Sequence, residues 1–449
     1  MGLAAKAICS GIFISGRPLE HLLGTTVEAR LEGQPIQFAI DEAAKTVEAS
    51  LPGGLRRRAV LAGDQGVVLL PVAGSKIFFE PSKVSSRLGV ADETDWPLGD
   101  AHAQAKTIDS DWDQAGLQSA AAIAFESHPE SQTAALLVAH RGQLVLERYG
   151  PGIDSSTQLQ SWSMAKTLTA MLIGRLVEKG ELAVDEPAPI AAWQGSGDPR
   201  RAITVRHLLQ MSSGLGFSAE WAPDYDAVDG YPDHAYMYSA GIDCFALALT
   251  RPLTQPPGTL GAYKNGDTLI LGYLIQQYCR ENGEDYFSWP QRELFDHIGI
   301  RRLVLEPDPY GNFMSSGNNF GTARDWVRLG LLLLNNGEFA GRRLLPEAFC
   351  RLLRAPAPAW AGRYWTEPGP DGWEDSIYGG QLWLNRYPPQ DAWPLPSDAC
   401  FMLGVGGQYT FVVPSLDLVI VRLGHVLGAD GTRGCLPDVL KKILSARRG

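Results

Sequence analysis

Tyr409-Thr410-Phe411-Val412-Val413, then Pro414-Ser415-Leu416-Asp417, then Leu418-Val419-Ile420-Val421-Arg422-Leu423: two β-rich runs flank a four-residue turn near the end of the chain. β-branched and aromatic residues suit a pleated, half-buried surface, and Pro and Asp suit a turn, so this is a hairpin. A second hairpin pattern lies far upstream, where Ala134–Ala139 and Leu144–Tyr149 flank His140-Arg141-Gly142-Gln143. Between the two hairpins the periodicity is helical. One long pattern runs from Ser163 to Lys179 and stops at Gly180, another covers Asp267–Gln277, and an amphipathic one covers Ala323–Leu334. A last helix is predicted over Leu436–Ser445. Strands at both ends with helices between them predict an α+β domain over residues 116–449. Both ends of the domain close one antiparallel sheet, and a helical lobe of about 180–335 is inserted.

Residues 1–115 read differently. Short apolar or alternating runs (Gly11–Ser15, Ile36–Ile40, Val67–Val72) are punctuated by Gly-Gly and Asp-Gln-Gly, which predicts a small β-rich N-terminal region. The acidic, polar stretch Asp92–Asp113 reads as a linker. No chemical motif occurs in this region, and its role stays open.

Composition narrows the function. The chain has 449 residues, is 45% hydrophobic and 20% charged, and carries a formal charge of −11. That balance fits a globular enzyme and argues against nucleic acid as a partner. No run reaches the length of apolar residues that a membrane helix needs. The opening Met1–Ser15 lacks a clear hydrophobic core and cleavage site. A periplasmic or exported location, with the signal absent from this chain, is the expectation; a cytoplasmic one is the alternative. The six cysteines are in neither CxxC nor Cys/His spacing, which predicts buried thiols, no zinc module and no metal or other cofactor.

Chemistry enters with Ser163-Met164-Ala165-Lys166. A serine hydroxyl is a poor nucleophile until a base removes its proton. Three residues along a helix bring Ser163 and Lys166 to one face, and free N–H groups at the helix start favour a developing anion. No other lysine in the chain has a serine three residues before it. About a hundred residues later, Tyr263-Lys264-Asn265 follows Pro256-Pro257-Gly258-Thr259 at a loop-to-helix junction. A tyrosine held beside an ammonium can shuttle a proton, and an asparagine offers both donor and acceptor to an amide. A G-x-S-x-G pentapeptide and an H-E-x-x-H cluster are both absent.

Four ordered stretches together resemble the serine β-lactamase and penicillin-recognising family. They are Ser163–Lys166, Thr204–Leu215, Pro257–Asn265 and Thr322–Gly330. The pattern is similar to the branch holding class C β-lactamases, D,D-peptidases, esterases and nylon-oligomer hydrolases, over residues 116 to 449. The resemblance implies an acyl-enzyme on Ser163, with Lys166 and Tyr263 handling protons and a small-molecule ester, amide or β-lactam as substrate. Where β-lactamases of this kind carry Lys-Thr-Gly, this chain has Gly404-Val405-Gly406-Gly407-Gln408. If Gly407-Gln408 takes that place, the Gln408 N–H joins that of Ser163 as an oxyanion hole, and Asn265 touches substrate. Val405 in place of a cation shifts weight toward an amidase or esterase; a β-lactamase or D,D-peptidase is the alternative. Lys264 has two readings, a solvated residue or a substitute cation.

Other residues carry blander expectations. His207 reads as a helix residue. Asp224, Asp226, Asp229, Asp233 and His234, with Tyr225, Tyr231, Tyr236 and Tyr238, read as a polar, aromatic lid rather than a metal site. Tyr364 and Trp365 are candidate pocket walls.

Overall fold

The computed structural model describes residues 1–26, 35–72, 74, 76–103, 111–126, 131–218, 232–361, 377–385, 393–426 and 434–448. It begins with helices, not strands: α1 spans Gly2–Phe13 and α2 spans Leu19–Thr25. The strand expected over Gly11–Ser15 is thus corrected to the end of α1. The reason is packing. Ala4, Ala5, Ile8 and Cys9 are fully buried on one helical stripe and cover a four-stranded sheet. That sheet is β1 (Gln37–Asp41), β2 (Thr46–Ser50), β3 (Arg56–Leu61) and β4 (Val67–Leu69), all antiparallel in chain order. Gly2 permits the approach of α1 to its neighbour, since a Cβ there would lie 2.1 Å from the Ser239 carbonyl oxygen.

After α3 (Gln114–Ala124) come β5 (Ser131–His140) and β6 (Gln143–Tyr149), the expected upstream hairpin. Next are β7 (Leu159–Gln160), α4 (Met164–Glu178), α5 (Val205–Leu209), α6 (Asp233–Ser239), α7 (Cys244–Leu249), α8 (Asn265–Glu281) and α9 (Trp289–Glu293). The chain continues through β8 (Val304–Leu305), β9 (Asn319–Gly321), α10 (Ala323–Leu334), the small hairpin β10 (Glu338–Phe339) and β11 (Arg342–Arg343), and α11 (Glu347–Leu353). It closes with β12 (Ile377–Tyr378), β13 (Trp383–Leu384), β14 (Cys400–Gly404), β15 (Gln408–Val413), β16 (Leu418–Val426) and α12 (Leu436–Ser445).

The main sheet has seven strands in the order β12-β13-β14-β15-β16-β5-β6, every pair antiparallel. β16 pairs with β5 from Leu418↔His140 to Val426↔Ser131, so the two ends of the domain do close one sheet. One face meets α3 and α12; the other meets α10 and the helical lobe. The fold is α+β, as expected.

Two features tie residues 1–115 to the rest. Trp96 is buried, and the Arg328 guanidinium stacks 4.6 Å from its ring while donating to the carbonyls of Pro97 and Gly99, at 2.8 Å each. The segment read as a linker is therefore docked where it is described. The second tie is a buried ion pair. Lys6 on α1 meets Glu306 at 2.9 Å, and the other oxygen of Glu306 accepts from Ser10 at 2.6 Å and from the Val67 N–H at 3.0 Å. Burial raises the Glu306 pKa, and Lys6 opposes the shift. Removing one partner strands a buried charge, so Glu306→Ala should destabilise the fold by about 3–5 kcal/mol in denaturant titration. A double Lys6→Met/Glu306→Leu variant should recover most of that loss. If the single variant unfolds at the wild-type midpoint, the pair does not hold the N-terminal region.

Candidate active site

The nucleophile candidate sits at a strand-to-helix turn. β7 pairs with β9, and the Ser161 N–H donates to the Asn319 carbonyl at 2.8 Å, fixing where the chain leaves the sheet. Trp162 then takes φ 47°, the left-handed region that non-glycine residues avoid, and Ser163 follows as the N-cap of α4. That reversal directs the chain into α4, whose residues Met164–Leu176 are all buried. Ser163 is half-buried at its start.

The structure brings Lys166 to Ser163, with Nζ 3.0 Å from Oγ. The same Nζ donates to the Ser316 carbonyl at 2.9 Å. Lys166 is 1% exposed, and burial holds its pKa well below the ordinary lysine value. An amine desolvated without a counter-charge gives up its proton, which is what a base next to a hydroxyl needs.

Tyr263 is brought to the same place. Its ring face lies 4.8 Å from Lys166 Nζ. It is 3% exposed, held by ring contacts with Tyr378 at 5.8 Å and Trp383 at 5.3 Å, with Trp360 5.1 Å beyond on Tyr378. Asn265, the first residue of α8, is fully buried, and its Nδ2 is hydrogen-bonded to His234 Nδ1. Burial holds the His234 pKa well below the ordinary histidine value, and Lys166, whenever protonated, lowers it further. On the same helix Tyr238 meets the Trp162 ring edge-on at 5.8 Å, and its hydroxyl is 2.9 Å from Ser316 Oγ. His234 and Tyr238 thus belong to the wall of the site. Tyr236 is exposed. Asp224, Tyr225, Asp226, Asp229, Tyr231, Tyr364 and Trp365 lie outside the described residues. Among the described residues there is no cluster of three metal-ligating side chains.

The β14–β15 hairpin presses on the nucleophile turn. A Cβ at Gly404 would lie 2.1 Å from the Ser161 carbonyl oxygen, so only glycine fits. Gly406 and Gly407 both have positive φ in the turn, and Gly404 pairs with Gln408 across it. The Gln408 carboxamide is taken up by β16: Nε2 donates to the Gly424 carbonyl at 2.6 Å and Oε1 accepts the Gly424 N–H at 3.1 Å. Only its main chain is left for an anion. The Gly407 carbonyl accepts from Arg422 Nη1 at 2.7 Å.

Lys264 lines a separate small cavity with Ser213, Gln255 and Asp267. His207 accepts the Thr204 N–H on Nδ1 in a capping box at the start of α5, as a helix residue should. Sequence reasoning missed Trp162 and Ser316. Trp162 carried the faint signal of adjacency to the Ser-x-x-Lys pattern; Ser316, in a run of small polar residues, carried none.

Comparison with known proteins bears on the family and the fold. The Beta-lactamase family model matches residues 122–434. The chain is 21% identical over 301 residues to the 6-aminohexanoate-dimer hydrolase of Paenarthrobacter ureafaciens, covering 66% of this chain and 73% of that one. It is 26% identical over 247 residues to penicillin-binding protein 4 of Amycolatopsis lactamdurans, covering 48% of this chain and 60% of that one. Among solved structures, EstCE1, a hydrolase with promiscuous acyltransferase activity, superposes with a TM-score of 0.55 at 16% identity over 74% of this chain and 99% of its own. A penicillin-binding protein homologue from Caulobacter crescentus does so with a TM-score of 0.52 at 17% identity, over 74% and 97%. With a family model matching well over half its length and a buried lysine set against the serine at the start of its central helix, this chain belongs to the Beta-lactamase family.

Proposed function

We propose that the protein is a serine hydrolase that cleaves ester or amide bonds through an acyl-enzyme on Ser163. The observation that carries this reading is the fully desolvated Lys166 amine 3.0 Å from the Ser163 hydroxyl. Neutral Lys166 takes the Ser163 proton as Oγ attacks the substrate carbonyl. Negative charge then develops on the carbonyl oxygen at the start of α4. There the Ser163 N–H is one donor, and the β14–β15 tip, with the Gln408 main chain as our assignment, supplies the other. As the intermediate collapses, the amine or alcohol leaves with the proton relayed through Lys166 and Tyr263. Water repeats the sequence in reverse to free Ser163 and the acid. Asn265 is assigned to hold the wall against which the substrate carbonyl group lies.

Tyr263→Phe isolates the relay, because the ring contacts survive and only the hydroxyl goes. It should lower kcat by about 10²-fold, the usual scale for one acid–base group. Burst kinetics with p-nitrophenyl butyrate would show a slower burst; an unchanged burst removes Tyr263 from the mechanism.

Substrate class is tested separately. The exposed Val405 at the hairpin tip offers no charge to a carboxylate beside the scissile bond. Short esters or linear amides should therefore lead nitrocefin and imipenem in kcat/KM. A β-lactam ahead by tenfold, about 1.4 kcal/mol in the transition state, would make β-lactamase the better reading.

A further inference from the structure

A cavity of about 60 Å³ opens beside the nucleophile turn, and one wall comes from the N-terminal region. Arg17 and Thr25 line it from one side; Gln160, Trp162, Val405 and His425 line it from the other. Arg17 is 7% exposed. Nη2 donates to Thr25 Oγ1, while Nε has no hydrogen-bond partner among the described residues. Among the described residues no carboxylate pairs with this guanidinium. Burial alone drives its pKa down to about 10.

The surroundings add positive charge. Arg422, 4% exposed, spends its donors on neutral groups only: the carbonyls of Gly406 and Gly407 and the hydroxyls of Ser131 and Thr133. His425 Nε2 is inaccessible and also without a partner among the described residues, and burial, Arg17, Arg422 and His21 all disfavour its protonated form. A desolvated guanidinium with an open donor is costly unless an anion meets it. Its planar fork matches a carboxylate. We propose that Arg17, supplied by the N-terminal region, binds a carboxylate on the substrate and so makes residues 1–115 part of the specificity site.

This rests on the acyl-enzyme reading for Ser163 and adds to it a substrate class. Trp162 and Gln408 line the cavity and Ser163 does not, so the anion recognised is several bonds from the scissile carbonyl. A linear ester or amide with a terminal carboxylate meets that requirement. A carboxylate fixed next to the scissile bond does not.

The test uses the full chain and a probe without a scissile bond. Adipate and its neutral diamide, adipamide, are titrated by calorimetry and as protectants of Ser163 against a fluorophosphonate. Adipate should bind and protect, more weakly at high salt, and adipamide should do neither. Arg17→Met should weaken adipate binding by roughly 30-fold or more, with Arg17→Lys between, the expected order for a lost bidentate contact. Equal binding of the two probes, or adipate binding retained in Arg17→Met, overturns the proposal. If Arg17→Met fails to fold, wild-type discrimination together with the Arg17→Lys deficit decides it. Should the fluorophosphonate label no serine, the acyl-enzyme reading falls, and calorimetry still reports on Arg17.

Discussion

Ser163→Ala should lower kcat by at least about 10⁴-fold, the scale seen when a nucleophile is removed from a unit that acts together. It should also abolish the fluorophosphonate adduct. The fold should persist. Ser163 caps α4 without a side-chain hydrogen bond, and its hydroxyl is described only as the acceptor of Lys166. Lys166 keeps its bond to the Ser316 carbonyl when the hydroxyl is gone. Melting temperature and circular dichroism should therefore stay close to wild type while turnover vanishes. Adding Lys166→Ala or Tyr263→Phe to Ser163→Ala should cost almost nothing more. An adduct mapped to a different residue, or wild-type hydrolysis by the alanine variant, would mean the nucleophile lies elsewhere.

The parts of this molecule legible in sequence are those set by local pattern. The β15–β16 hairpin was readable because Tyr, Phe, Val and Ile flank a Pro-Ser-Leu-Asp turn. α4 was readable because its apolar run ends at Gly180, which takes φ 76° in the structure. Ser163 and Lys166 could be paired because three residues of one helix fix their relation without any tertiary information. Long-range packing was harder to see. α1 looked like strand at Gly11–Ser15 because it is apolar on both faces, and only the sheet beneath it shows why a helix is stable there. Trp96 looked like part of a linker because its partner, Arg328, lies more than two hundred residues away. Arg17 was invisible as a functional residue for a similar reason: its meaning depends on which groups surround it in space, where no carboxylate among the described residues pairs with it, and no spacing rule encodes that.

Lys166 is where activity and stability should separate most sharply. Unfolded, its amine titrates near the ordinary lysine value; folded, burial holds it well lower. The folded state therefore binds fewer protons than the unfolded one between those two values. Stability contributed by this residue rises with pH across that window, and the full penalty of burying it applies at every pH below the folded pKa. Activity follows the same titration, because only the neutral amine can accept the Ser163 proton: kcat/KM should climb with pH through the folded pKa. Lys166→Met keeps the length and apolar stem and removes both effects. It should lower acylation by at least about 10²-fold. It should also raise unfolding free energy at neutral pH by about 1–2 kcal/mol, since replacing a buried charge with a methionine of similar volume is commonly neutral or stabilising. Lys166→Arg makes the opposing case. A guanidinium cannot act as a base at these pH values and would be a charge held permanently in the core, so activity and melting temperature should fall together. Fluorophosphonate labelling rates and thermal melts of the two variants, from pH 6 to pH 10, measure both quantities. A Lys166→Met protein less stable than wild type across that range would show that the bonds to Ser163 and Ser316 outweigh the cost of burial, and that Lys166 holds the fold as well as the proton.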